Sequence, residues 1–159
     1  MSTDNILEVK NLKKHFPIKS GVFKHVVGHV KSVDGVSFEI KRGQTFGLVG
    51  ESGCGKTTIG RTILRLTEPT EGEAILNGKD IFKMSKAELR KIRTDMQIIF
   101  QDPYSSLDPR MPVGEIIGEA VRTHKIVPKE QYRDYIMKIM EDCGLRPYYI
   151  DRYPHEFSG

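Results

Sequence analysis

Two hydrophobic periods run along the 159 residues, a strand-like one first and a helix-like one after about residue 100. Ile6-Leu7-Glu8-Val9 is short, apolar and β-capable, and Val36-Ser37-Phe38-Glu39-Ile40 alternates as a half-buried strand does. Residues 18–31 between them read as a loop or a hairpin, with glycines at 21 and 28. Lys41-Arg42-Gly43-Gln44 makes a turn into Phe46-Gly47-Leu48-Val49, an unbroken apolar run. Such a run predicts a parallel strand buried on both faces, and Met96-Gln97-Ile98-Ile99-Phe100 predicts another. Ile59, Ile63, Leu64 and Leu66 form a helical stripe that Pro69 closes. Glu73-Ala74-Ile75-Leu76, Asn77-Gly78 and Lys79-Asp80-Ile81 predict a tight hairpin. Ser85 with Glu88 predicts a capping box on a short helix reaching about Arg93. Two further stripes follow: Val113, Ile116, Ile117, Ala120 and Val121, then Tyr132, Ile136, Ile139, Met140 and Cys143, the second stopped by Gly144. These stripes read as core packing and carry no chemistry. The pattern divides the chain into a sheet-bearing part, residues 1–101, and a helical part, residues 102–159.

Composition narrows the class. With 38% hydrophobic and 29% charged residues, the chain has the balance of a globular domain, and 159 residues suffice for one core of ordinary size. The net charge of +4 is spread along the chain without the basic cluster of a nucleic-acid footprint, so no nucleic-acid partner is expected. The two cysteines, Cys54 and Cys143, form no C-x-x-C pair, which fits a reducing compartment. His25 and His29 are four apart, but Gly28 between them opposes a helix and no acidic third ligand lies nearby, so a metal site is not expected there. Met1 to Lys10 lacks a basic-then-apolar signal, and no run approaches the roughly 18 apolar residues of a membrane span. A cytosolic protein is expected, with any membrane role exercised through a partner.

The chemistry concentrates between Gly50 and Thr58. Gly50-Glu51-Ser52-Gly53-Cys54-Gly55-Lys56-Thr57 fits G-x-x-x-x-G-K-[ST], placed between an apolar run and a helical pattern as a phosphate-binding loop must be. Its glycines let phosphate oxygens approach the main chain, and the amides of residues 50–58 can point inward as an anion nest backed by a helix N-terminus. Lys56 can reach the β- and γ-phosphates, and the Thr57 hydroxyl can ligate Mg²⁺. Glu51 lies within the loop and is read as facing solvent rather than as a catalytic base. Phe16 reads equally as an aromatic that stacks on an adenine and as a core residue at a strand end.

The whole chain resembles the ATP-binding subunits of ABC transporters, and within them the oligopeptide/dipeptide importer group. Gly50-Glu51-Ser52-Gly53-Cys54-Gly55-Lys56-Thr57-Thr58 matches that family's phosphate loop, and Phe100-Gln101-Asp102-Pro103 resembles its Q-loop. Tyr104-Ser105-Ser106-Leu107-Asp108-Pro109-Arg110-Met111 and the insertion before Val33-Asp34-Gly35-Val36-Ser37-Phe38 resemble the peptide-importer version. Tyr153-Pro154-His155-Glu156-Phe157-Ser158-Gly159 looks like the approach to the L-S-G-G-Q signature, with Phe at its first position. The resemblance implies an α/β P-loop NTPase fold, here its N-terminal part: a mixed β sheet with a P-loop helix plus a helical subdomain. It implies ATP and Mg²⁺ as cofactors. Phe16 would stack on adenine, Lys56 and the loop amides would hold the phosphates, and Thr57 and Gln101 would attend the metal and the attacking water. Ser158 and Gly159 would belong to the signature that closes on a nucleotide. The implied partners are membrane-spanning permease subunits, a second nucleotide-binding subunit and, indirectly, an extracytoplasmic peptide receptor. The implied place is the inner face of the cell membrane, as a peripheral subunit.

The sequence holds no apolar strand ending in Asp-Glu after the loop, hence no Walker B aspartate, no following general-base glutamate and no switch histidine. The expectation is a chain that binds ATP without useful turnover alone and is marginally stable or self-associating. Other readings are a non-catalytic nucleotide-binding fragment and an importer ATPase for another small solute such as nickel. A GTPase or nucleotide kinase fits less well, because Asn77-Gly78-Lys79-Asp80 has the wrong order for N-K-x-D and falls in a hairpin. A DNA-repair ATPase would carry heptads after Gln101, and the helices there are short.

Overall fold

A computed structural model describes residues 4–157 and divides the chain into two compact units, Met1–Met96 and Gln97–Gly159. In the first, β1 (Asn5–Ser20) and β2 (His25–Lys41) form a long antiparallel hairpin. The segment 18–31 is therefore hairpin rather than loop. β3 (Glu71–Leu76) pairs with β1, and β4 (Lys79–Asp80) with β3, giving the order β2-β1-β3-β4. The β3–β4 connection is Asn77-Gly78, with φ of 48° and 77°, the left-handed pair that a two-residue hairpin turn requires. Asn77 N–H also donates to the Ile6 carbonyl at 2.9 Å, which ties this turn to β1.

β1 has two lives. Up to Lys13 it is an interior strand, since Lys13 is the last of its residues opposite β3. Beyond that point it pairs with β2 alone, and Pro17, which has no N–H to give a second neighbour, is accommodated there. Where three strands meet, Val9, Leu12 and Val33 are buried with Ile59 of helix α1 (Lys56–Ile63), and Leu7, Val36, Phe38, Ile63 and Phe82 pack against them. Helix α1 buries Ile59 and Thr62, while Leu66, counted in its stripe from sequence, lies past its end and is half exposed. Helix α2 (Lys86–Ile92) begins with the capping box as read: Ser85 N–H donates to the Glu88 carboxylate at 2.8 Å and Glu88 N–H to Ser85 Oγ at 3.3 Å.

The two expected parallel strands do not form. Residues 44–50 and 96–100 have no regular structure, and Val49 and Ile99 are 89% and 91% exposed. The four-stranded sheet of the described residues is wholly antiparallel. The reason is topological: an interior strand must satisfy its N–H and C=O groups on both edges, and no described strand flanks either run. Phe46 instead stacks on Phe38 of β2, ring centroids 4.9 Å apart.

In the second unit α3 (Val113–His124) packs against α4 (Tyr132–Asp142) and the 3-10 turn Pro147–Asp151. Ile136, Met140 and Ile150 form its core, with Val113, Ile117, Tyr132, Met137 and Tyr149 around them. The buried face of α3 is Gly114, Gly118 and Val121 rather than the bulky stripe alone, and Ala120 and Cys143 are exposed. A Cβ on Gly114 would run into Ile150, and one on Gly118 into the Tyr132 ring. The helices approach so closely that hydrogen alone fits at the contact, and the larger residues flank it.

Candidate functional site

The segment Gly50–Thr58 enters α1 from the exposed chain that follows β2. Its first intrahelical bond runs from Ile59 N–H to the Gly55 carbonyl at 2.9 Å. The amides of Lys56, Thr57 and Thr58 therefore emerge from the helix end without an i−4 partner, and no side chain caps them. An α-helix presents its partial positive charge at that end.

Three contacts shape the loop. Cys54 N–H donates to the Glu51 carbonyl at 3.3 Å, closing a turn over Ser52 and Gly53. The Lys56 ammonium folds back onto the carbonyls of Gly50 and Glu51, at 2.7 and 2.6 Å, with Cys54 Sγ 3.5 Å away. The third contact is with β2. Gly55 is buried at φ 98°, and a Cβ there would collide with the Ser32 carbonyl, so the main chain lies directly on the strand. Ser32 Oγ also donates to Thr58 Oγ1 at 2.9 Å, and Thr62 Oγ1 donates to the Thr58 carbonyl at 2.7 Å. Ser32 was not among the residues singled out from sequence; it stands alone among loop-like residues and carries no motif.

This geometry suits a polyanion. It offers backbone donors at a helix end, an ammonium anchored at the loop mouth, and an exposed surface at Ser52, Gly53, Cys54 and Thr57. Glu51 is exposed and enters the loop's bonding through its carbonyl. Among the described residues no cluster of three or more His, Cys, Asp or Glu could hold a metal. A Mg²⁺ here would be held mainly by phosphate oxygens, with the exposed Thr57 hydroxyl as the protein ligand from this unit; such sparse protein ligation is usual for this ion.

Phe16 lies on β1 opposite Val30, 39% exposed, with Lys14 Nζ 4.7 Å from its ring centroid. It is thus not a core residue, and a cation already occupies one face of its ring. Gln101 is exposed in the irregular start of the second unit. Ser158 and Gly159 lie outside the described residues.

Residues 33–159 match the family described as "ABC transporter". The oligopeptide transport ATP-binding protein AppF of Bacillus subtilis is 48% identical over 157 residues, covering 98% of this chain and 48% of that protein. Its counterpart OppF of Salmonella typhimurium is 47% identical over 157 residues, covering 97% and 47%. The glutathione import ATP-binding protein GsiA of Escherichia coli K12 is 46% identical over 154 residues, covering 97% of this chain and 25% of its own length. The chain spans about half the length of the oligopeptide-transport relatives. Among solved structures, the dimeric post-hydrolysis state of the ATP-binding cassette MJ0796 with ADP and Pi superposes with a TM-score of 0.76 at 24% identity, covering 96% of this chain and 63% of that one. CbiO1 of Clostridium perfringens, part of the transporter complex cbiONQ, gives 0.73 at 23%, covering 98% and 57%. A cassette fold and a family match that takes in the entire phosphate loop lead to one conclusion: the chain belongs to the ABC transporter family.

Proposed function

We propose that this chain is the nucleotide-binding portion of a subunit that powers peptide import, taking ATP with Mg²⁺ on the loop Gly50–Thr58. The observation that carries the reading is the set of Lys56, Thr57 and Thr58 amides left open at the start of α1, with the Lys56 ammonium tethered beside them. Those amides and Lys56 bind and orient the phosphates; Thr57 offers its hydroxyl to the magnesium, whose charge would offset that of the β- and γ-phosphates. Phe16 is assigned to the adenine, which would take the ring face that Lys14 leaves open. Gln101, whose amide both donates and accepts, is assigned to the metal and the attacking water. Ser158 and Gly159 are assigned to the signature that closes on a nucleotide held by a second subunit; the dimeric state of the MJ0796 cassette supports such pairing.

Peptides as the solute are supported by the oligopeptide and glutathione import named in its relatives. Permease subunits and, through them, an extracytoplasmic receptor would be the partners, at the inner face of the membrane. No helix among the described residues is long and apolar enough to cross a membrane. Taken alone, the 159 residues bind ATP without useful turnover, because they contain no strand ending in Asp-Glu to supply a metal-binding aspartate and a general base.

Titration of ATP·Mg²⁺ against the chain and its Lys56→Ala variant, following binding and phosphate release together, tests this. Saturable binding that weakens about 10- to 100-fold in the variant, the loss of one charge-assisted hydrogen bond, is the expected outcome, with no release from either. Equal binding by both would refute the loop assignment, and release at transporter-like rates would refute the claim about turnover.

A further inference from the structure

Beyond Lys13 β1 no longer faces β3, and from Phe16 outward the β1–β2 hairpin continues as a two-stranded arm to its turn, Gly21–Lys24, closed by Lys24 N–H to the Gly21 carbonyl at 3.0 Å. At about 3.3 Å per residue, the five residues Phe16–Ser20 carry that turn some 17 Å outward. A ribbon of this kind has no core of its own. It is nevertheless apolar. Val22 and Phe23, the two central residues of the turn, are 93% and 83% exposed, and Val26 and Val27 follow at 53% and 64%. Turn centres ordinarily hold Gly, Asn, Asp or Ser, so a Val-Phe pair serves neither the turn nor any core.

The charge around this tip has one sign. Between Lys13 and Lys31 the sequence contains no Asp or Glu, and Lys14, Lys19 and Lys24 accompany the apolar residues. Lys19 and Lys24 are exposed on either side of the turn. The nearest balancing contacts lie at the root of the arm, where Lys13 pairs with Glu71 and Lys31 with Asp34. Two such arms repel each other, which disfavours a second copy of this chain as the occupant. An apolar tip between long lysine side chains instead matches an anionic bilayer surface: apolar groups enter the boundary of the headgroup region while ammonium groups remain at phosphate level.

We propose that the arm Phe16–Val30 is a membrane-surface anchor, inserting Val22 and Phe23 among anionic phospholipid headgroups that Lys19 and Lys24 hold by charge. The inserted tip, Val22 and Phe23, is separate from the nucleotide loop; Phe16, at the root of the arm opposite Val30, is the one residue shared with the function proposed above, and insertion does not depend on its role there.

The chain contains no tryptophan, so Phe23→Trp places a single indole at the tip. With mixed phosphatidylglycerol–phosphatidylcholine vesicles its emission should move to the blue, and with pure phosphatidylcholine it should stay in place. In co-sedimentation, the unmodified chain should bind the anionic vesicles and release them as salt is raised. Lys19→Glu with Lys24→Glu should weaken binding by about 25-fold or more, at roughly fivefold for each lysine charge lost. Val22→Asp with Phe23→Asp should abolish the blue-shifting insertion and the sedimentation while far-UV circular dichroism and ATP binding are retained, since Val22 is 93% exposed and the Phe23 ring meets His25 of the same hairpin, centroids 6.1 Å apart, rather than any core. Equal behaviour toward the two vesicle types, or tip variants that sediment as the unmodified chain does, would overturn the proposal. So would the arm proving protected only by a protein partner.

Discussion

The carbonyl oxygen of Ser32 occupies the place where a Cβ on Gly55 would have to go. This contact seats the phosphate loop on β2 and fixes the direction in which α1 leaves it. Gly55→Ala meets two penalties together, a left-handed φ of 98° and a backbone collision. A loss of about 2–3 kcal/mol is expected, enough to lower the thermal midpoint by several degrees, together with loss of nucleotide binding. Gly60→Ala, five residues on and with open space at its Cβ, should do the opposite and stabilise by about 0.5–1 kcal/mol. Thermal melts of the two variants side by side check the pair; an undisturbed Gly55→Ala would mean that the loop does not rest on Ser32.

Gly118 has the corresponding role in the second unit. Tyr132 Oη donates to its carbonyl, and the same ring, with Ile136, leaves no room for a methyl group. Gly118→Ala should separate α3 from α4 and cost about 1–3 kcal/mol, read as faster hydrogen exchange at the amides of both helices. Ala120→Glu, on the exposed face of the same helix, should change stability by no more than about 0.5 kcal/mol.

These two glycines mark what sequence could and could not reveal. The passage from the glycine-rich segment into α1 was legible, because its cue is contiguous: Gly55 precedes Lys56, where the helix starts. The Asn77-Gly78 turn and the Ser85/Glu88 box were legible for the same reason, each being settled within four residues. Ser32 was not, since its role depends on β2 passing under Gly55 from 23 positions away. Nor were Gly114 and Gly118, whose burial becomes evident only once α4 and Ile150 are in place. The apolar runs at 46–49 and 96–100 failed differently. An apolar run states that burial is favourable, but whether a strand forms depends on neighbours on both edges, and local pattern holds no information about them. The segment 18–31 reads equally as loop and hairpin in sequence because Pro17, Gly21 and Gly28 interrupt the alternation that would announce strands.

The capping box supplies a test of α2. Ser85→Ala removes the acceptor for the helix's third amide and should cost about 1 kcal/mol at neutral pH. The box also has a pH signature. Hydrogen bonds from the Ser85 hydroxyl, and then from its backbone N–H, hold the Glu88 carboxyl below its ordinary value of 4.5. A depressed carboxylate contributes stability above its unfolded value and loses it as pH falls through the folded one. Stability of α2 should therefore decline on acidification below about 4.5, and the decline should shrink in Glu88→Gln. Helicity followed by circular dichroism across that range is the check; identical acid profiles for the two chains would show that the box does not form.

Asp108 and Arg110 give a sharper titration. Arg110 donates to Asp108 through Nε at 3.0 Å, through Nη2 at 2.9 Å and through its backbone N–H at 3.0 Å. The guanidinium bonds first, and then the backbone bond, lower the Asp108 carboxyl from 3.8 to about 2. The turn Asp108–Met111, closed by Met111 N–H to the Asp108 carbonyl at 3.1 Å, is thus braced by a charged fork across two residues. Because the folded value is depressed, the brace is complete above about 3.8 and disappears as pH falls through about 2. Carbon-detected NMR titration of the Asp108 carboxyl should give a midpoint near 2. Arg110→Lys should recover only part of the shift, since an ammonium cannot make the two parallel bonds of the fork, and Arg110→Ala should return the midpoint most of the way to 3.8. The residual depression in Arg110→Ala measures the backbone N–H alone. A midpoint unchanged by either substitution would assign the shift to some other group and dissolve the fork.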